Sequence, residues 1–126
     1  MEYNLNIAGA DMVISFFGYW PSFHDAAVLS IWIDREGPSV TILFKVNEMG
    51  PSNIEPDRRA LVKMRWNDLE DLELSGCDPD GNNWIWGLDI EASEDCYVTT
   101  LKKMHGIQGR IIARQIEVLE IEPLEL

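Results

Sequence analysis

Apolar and polar residues alternate along most of this chain, a pattern that predicts strands. Residues 27–34 are rich in β-branched and aromatic side chains. Leu29, Ile31 and Ile33 fall on one face and Val28 and Trp32 on the other, so both faces are expected to be covered, the second by a helix. Arg35-Glu36-Gly37-Pro38 reads as a turn. Val40, Ile42, Phe44 and Val46 then alternate with Ser39, Thr41 and Lys45, completing a hairpin. Ala60, Val62, Met64 and Trp66 alternate with Arg59, Lys63 and Arg65, and Leu72 and Leu74 alternate with Asp71 and Glu73. Trp84, Trp86, Leu88 and Ile90 alternate with Gly87, Asp89 and Glu91. Residues 97–104 and 109–122 close the pattern around a turn at His105-Gly106-Ile107-Gln108. In the last strand the apolar frame slips between Ile116-Val118 and Leu119-Ile121, which predicts a bulge or bend.

Helical spacing is confined to residues 8–17, where Met12, Val13, Phe16 and Phe17 share one stripe. Asp11 supplies negative charge to the first turn and Gly18 supplies a stop. Residues 47–57, with Gly50, Pro51 and Pro56, read as the longest loop. The chain is therefore read as α+β and mainly β. The expected fold is a curved antiparallel sheet or partial barrel of about seven strands with one short N-terminal helix. Residues 1–126 are read as one domain.

Composition narrows the function. The net charge is −12. Such a field repels nucleic-acid phosphates and anionic lipid, so neither is an expected partner, and it favours encounter with a cationic protein. Acidic composition also serves solubility alone. The N-terminus lacks the basic region of a signal peptide, and the run at residues 12–17 is too short to span a membrane. Cys77 and Cys96 are the only cysteines. Together these features read as a cytoplasmic protein with reduced thiols. The cysteine spacing fits no zinc pattern, and no metal or cofactor is expected.

The charge is concentrated. Between Trp66 and Leu101 stand ten carboxylates and no Lys or Arg: Asp68, Glu70, Asp71, Glu73, Asp78, Asp80, Asp89, Glu91, Glu94 and Asp95. Trp66, Trp84 and Trp86 are interleaved with them. Arg59, Lys63 and Arg65 are expected to form cross-strand pairs with Asp71 and Glu73, leaving a residual negative field over residues 78–95. Glu117, Glu120, Glu122 and Glu125 form a second acidic region.

Three constellations invite chemistry. His24 and Asp25 are candidates for an acid–base pair, yet neighbours in a strand point to opposite faces and catalysis needs a further group in a pocket. The simpler reading gives them backbone hydrogen bonds in a tight turn. Asp78-Pro79-Asp80-Gly81-Asn82-Asn83 resembles a calcium loop, with Asp89 at the twelfth position. Its glycine is two places too early and no flanking helices are predicted, so a turn is the simpler account. Trp84 and Trp86 share a strand face. Burial is their ordinary fate, which would put Asp89 and Glu91 outside, on the opposite face. If exposed, they are candidate anchors for a protein partner. No phosphate loop, nucleophile elbow or zinc-protease motif is present.

Gly9-Ala10-Asp11, followed by Phe17-Gly18-Tyr19-Trp20-Pro21-Ser22-Phe23-His24-Asp25-Ala26, resembles the immunity protein 50 family of bacterial polymorphic toxin systems. Asp71-Leu72-Glu73-Leu74, the stretch from Gly81 to Leu88, and Gly109, Ile112 and Ala113 are compatible with that family's strand pattern. The resemblance implies a non-enzymatic cytosolic antidote that binds and blocks a cognate toxin, a basic nuclease being one candidate, and it carries over no catalytic residue. The expected partner-binding residues are Asp78, Asp80, Trp84, Trp86, Asp89, Glu91, Glu94 and Asp95. The alternatives are a small cation-binding regulator or enzyme using His24 and Asp25 or the Asp78 loop, and a homodimer built on an edge strand or on the tryptophans.

Overall fold

In the computed structural model, residues 6–48 and 58–124 are described. The loop read at 47–57 therefore lies outside the described residues except for Asn47 and Glu48, as does Glu125. One helix, α1 (Ala10–Phe17), precedes six strands: β1 (Ala26–Asp34), β2 (Ser39–Glu48), β3 (Arg58–Ser75), β4 (Trp84–Ser93), β5 (Cys96–His105) and β6 (Gln108–Leu124). The strands close into an antiparallel barrel in the order β1-β2-β3-β6-β5-β4. The expectation of about seven strands resolves to six among the described residues because Leu72 and Leu74 prolong β3 instead of forming a strand of their own.

Alternation explains the interior. Val40, Ile42, Phe44 and Val46 of β2 and Ala60, Val62, Met64 and Trp66 of β3 are fully buried. Trp66 is thus core, not part of an acidic surface. Its indole Nε1–H donates to the buried Thr99 hydroxyl at 2.9 Å, which satisfies the one polar atom that burial strands. The bulge expected in the last strand falls at Leu119, where the partners of Lys63 and Met64 are Glu120 and Val118.

Two expectations about neighbours are corrected. The helix does not cover β1; Val13 and Phe17 are buried as α1 lies against β6 and β3. Gly9 fixes that docking. Its φ is +80°, and a Cβ there would stand 2.5 Å from the Val118 carbonyl oxygen, so only glycine lets the chain lie this close to β6. Gly18, at φ +90°, ends the helix by donating its N–H to Ile14 at 2.7 Å. The outer part of β1 is left uncovered, with Leu29, Trp32 and Ile33 exposed. The acids Asp71 and Glu73 do not pair with Arg59, Lys63 or Arg65, because all five lie on the same strand. Arg110 of β6 approaches both instead, at 3.7 and 3.9 Å. Arg65 turns to Glu117 at 3.1 Å, drawing on the second acidic region.

Candidate functional site

The segment that follows α1 builds one side of the site. Phe23 is fully buried, packs edge-on against Phe44 with 5.2 Å between centroids, and carries Trp20 at 5.8 Å. Phe23 and Asp25 both adopt left-handed backbone angles, φ 64° and 63°. Such angles are costly for a bulky residue and persist where packing over-determines them. They bury Phe23 while turning His24 and Asp25 outward, and Asp25 N–H donates to the Ile85 carbonyl at 3.0 Å. His24 Nδ1 lies 3.2 Å from Asp25 Oδ2, and its ring stands edge-to-face on Trp86 at 4.5 Å. The two side chains thus meet each other, while the backbone N–H groups of His24 and Asp25 donate to the Ser22 hydroxyl at 3.3 Å and to the Ile85 carbonyl.

Glu48 lies beneath this turn. Its carboxylate accepts the Ser22 N–H at 3.2 Å. Burial pushes its pKa above the ordinary glutamate value, partly offset by that hydrogen bond and by His24. Burial also raises the pKa of Tyr19, with Glu48 adding to the shift and Arg58 opposing it. His24 and Asp25 themselves are 46% and 54% exposed. That is a solvated pair, without the desolvated pocket that acid–base catalysis requires.

Strand β4 builds the other side, and here the structure overturns the expected facing. Trp84 pairs with His105, Ile85 with Lys103 and Gly87 with Lys102, so Trp86 has no ladder partner. It is the extra residue of a bulge, which shifts the side-chain alternation by one. Ile85 and Leu88 point inward and are buried, while Trp84 and Trp86 are 42% and 56% exposed. Past the bulge, Asp89 and Glu91 point outward as well. The two indoles and the two carboxylates therefore share one face instead of opposing each other. Gly87, a glycine inside the strand, was the only sequence signal for this slip.

The remaining acids flank β4 at both ends. Asp78 and Asp80 sit in the turn before it and Glu94 and Asp95 in the turn after it, about 30 Å apart at the usual strand rise. Asp89 is tied to Lys102 at 2.7 Å, and Asp78 lies 3.5 Å from His105 Nε2. Asp80, Glu91, Glu94 and Asp95 carry no ion pair among the described residues. The Asp78 loop closes on itself: Asp78 Oδ1 accepts the Asp80 N–H at 2.9 Å, and Asp78 N–H donates to Asn83 Oδ1 at 2.8 Å. With Asp89 drawn to Lys102, the calcium-loop ligand set is not assembled. Among the described residues no group of three or more His, Cys, Asp or Glu is placed to hold a metal ion.

Residues 9–124 match the family model described as Immunity protein 50. No curated protein and no solved structure matches the chain.

Proposed function

The chain belongs to the immunity protein 50 family, and from that membership we propose a cytoplasmic, non-enzymatic antidote that binds a cognate bacterial toxin domain through the outward face of β4. The observation that carries this reading is the exposure of Trp84 and Trp86 beside Asp89 and Glu91. Large aromatics left in water with acids farther along the same strand face match the anatomy of an interface, with indole anchors and charges at the rim. The anionic rim favours a basic toxin, such as a nuclease whose substrate-binding surface attracts phosphate. A standard interface would bury about 1,600 Å² in total, enough to include both indoles and the acids beyond them on β4. Co-expression with a cognate toxin domain, sought among the neighbouring genes, tests the proposal. Growth is restored and a stable complex is recovered if it holds; unrelieved toxicity overturns it.

A second reading rests on β1. Its pairing with β4 ends at Ala27, so residues 29–34 form a free edge with Leu29, Trp32 and Ile33 exposed. A homodimer formed at this edge would hide them. Sedimentation of the purified chain decides: a monomer at micromolar concentration removes this reading.

A further inference from the structure

Resting on the antidote reading, we propose that the edge of β4 beyond Leu88 receives an extended basic segment of the partner as an added strand. One edge of β4 pairs with β5 from Trp84 to Ser93, apart from the bulged Trp86. The other pairs with β1 only at Ile85 and Trp84, and is then continued by a hydrogen bond from Leu88 N–H to the Ser22 carbonyl at 3.1 Å. Strand N–H groups alternate sides, so those of Ile90 and Ala92 point the same way as that of Leu88. No described residue accepts either one.

Beyond Ser22 the chain peels away and leaves a groove of about 380 Å³ between residues 20–22 and 88–91. Trp20, propped on Phe23, forms its far wall. Residues 88–93 contain no Lys or Pro and the ladder shows no bulge there, so the charges that guard this edge, Asp89 and Glu91, are both negative and turn away only strands that are not basic. Side chains of an added strand would stand roughly 5 Å from those of β4. Outward-facing ones would meet Asp89 and Glu91, and Glu91 has no cation of its own. Arg or Lys at alternate positions would pair with Glu91 and share Asp89 with Lys102. Backbone bonds would supply attachment and the acids would select the sequence, which is the usual division of labour in strand addition.

The probe is a blocked eight-residue peptide alternating Arg and Thr, with a Glu–Thr peptide as control. Amide exchange of the labelled protein should slow about tenfold at Ile90 and Ala92 with the first peptide only. Ala92→Pro removes an N–H that points away from β5, on the edge that continues the groove, and Glu91→Lys reverses the charge while leaving the backbone intact. Each should weaken peptide binding about tenfold. Should Ala92→Pro fail to fold, Glu91→Lys still decides. Protection at β1 instead of β4, or none, or full affinity in the folded variants, overturns the proposal. Growth rescue by co-expression reads the antidote function separately: rescue without peptide protection removes the added strand alone, and absent rescue removes the antidote reading on which it rests.

Discussion

His24 holds Trp86 from the side: the imidazole meets the indole at 78°, with 4.5 Å between ring centroids, while its Nδ1 stays 3.2 Å from Asp25. The contact joins two segments far apart in the chain, the turn before β1 and the bulge of β4. An exposed indole would otherwise sample several rotamers, and ordering it on binding would cost free energy. Here the ordering is done in advance. Trp86→Ala should therefore weaken toxin binding by about 2 kcal/mol or more, roughly thirtyfold. The unfolding midpoint should barely move, because the ring is more than half exposed. Titration calorimetry beside thermal unfolding separates the two effects, and wild-type affinity in this variant would remove Trp86 from the interface.

The unpaired acids act at longer range. Asp80, Glu91, Glu94 and Asp95 form no ion pair among the described residues, Asp95 acting on Arg114 only at longer range, whereas Asp89 is tied to Lys102. Converting the four to their amides should slow association with the toxin about tenfold at low salt and flatten its salt dependence, with dissociation changed less. Stopped-flow measurements across an ionic-strength series provide the check. An unchanged association rate would mean that the partner approaches another face.

Much of this fold was legible because the barrel wall obeys simple alternation. The β1–β2 hairpin, the stop at Gly18 and the slip at Leu119 each leave a local mark that a reader can find. The facing of β4 leaves almost none. Alternation says which residues share a face but not which face is inside, and β4 offers large apolar groups to both. The decision is made elsewhere: Trp66 and Phe44 already fill the interior, their rings 6.4 Å apart, and the bulge at Trp86 redirects the strand. Helix placement was hidden for a similar reason. Gly9 permits a close approach to Val118, a contact more than a hundred residues away in sequence. The ion pairs of Asp71 and Glu73 depended on β3 being one long strand, which a polar stretch in its middle obscures.

Thr99 offers a test of the core. Its hydroxyl is the acceptor for the Trp66 indole N–H, and both residues are fully buried. Thr99→Val keeps the shape and removes the acceptor, leaving a donor in an apolar interior. The expected loss is about 1–3 kcal/mol. Denaturant unfolding should show a lower midpoint with an unchanged slope. In a Trp66→Phe background the same change should cost much less, since no donor remains to be stranded.

Glu48 gives the stability a pH signature. Burial raises its folded pKa above the unfolded value, against the smaller pull of the Ser22 N–H and His24. A raised carboxyl pKa contributes stability that is fully present below the unfolded pKa and is lost as pH rises through the folded one. At neutral pH the ionised group is thus a liability. Glu48→Gln keeps an oxygen for the Ser22 N–H and removes the charge. It should be more stable than the parent at pH 7, with the difference shrinking as pH falls below the ordinary glutamate value of 4.5. Equilibrium unfolding of both proteins between acid and neutral pH tests this, and a gap that grows toward acid would show the opposite sign.

The two thiols should differ in reactivity. Cys77 is exposed, whereas the Cys96 thiol donates to Glu70 Oε2 at 3.2 Å. That hydrogen bond, with smaller contributions from burial and the Glu70 charge, raises the Cys96 pKa. The same hydrogen bond, and after it Arg114, which donates from Nε and Nη2 to the other carboxylate oxygen at 3.3 and 3.1 Å, hold the Glu70 carboxyl below the ordinary glutamate value. Only the thiolate is a competent nucleophile, so iodoacetamide at pH 8 should label Cys77 ahead of Cys96. Glu70→Ala removes the acceptor and the negative charge together, lowering the barrier to ionisation at Cys96. Its labelling should accelerate severalfold while that of Cys77 stays constant, as read by peptide mass spectrometry. Equal labelling of Cys96 with and without Glu70 would mean that solvent access, not the carboxylate, sets its reactivity.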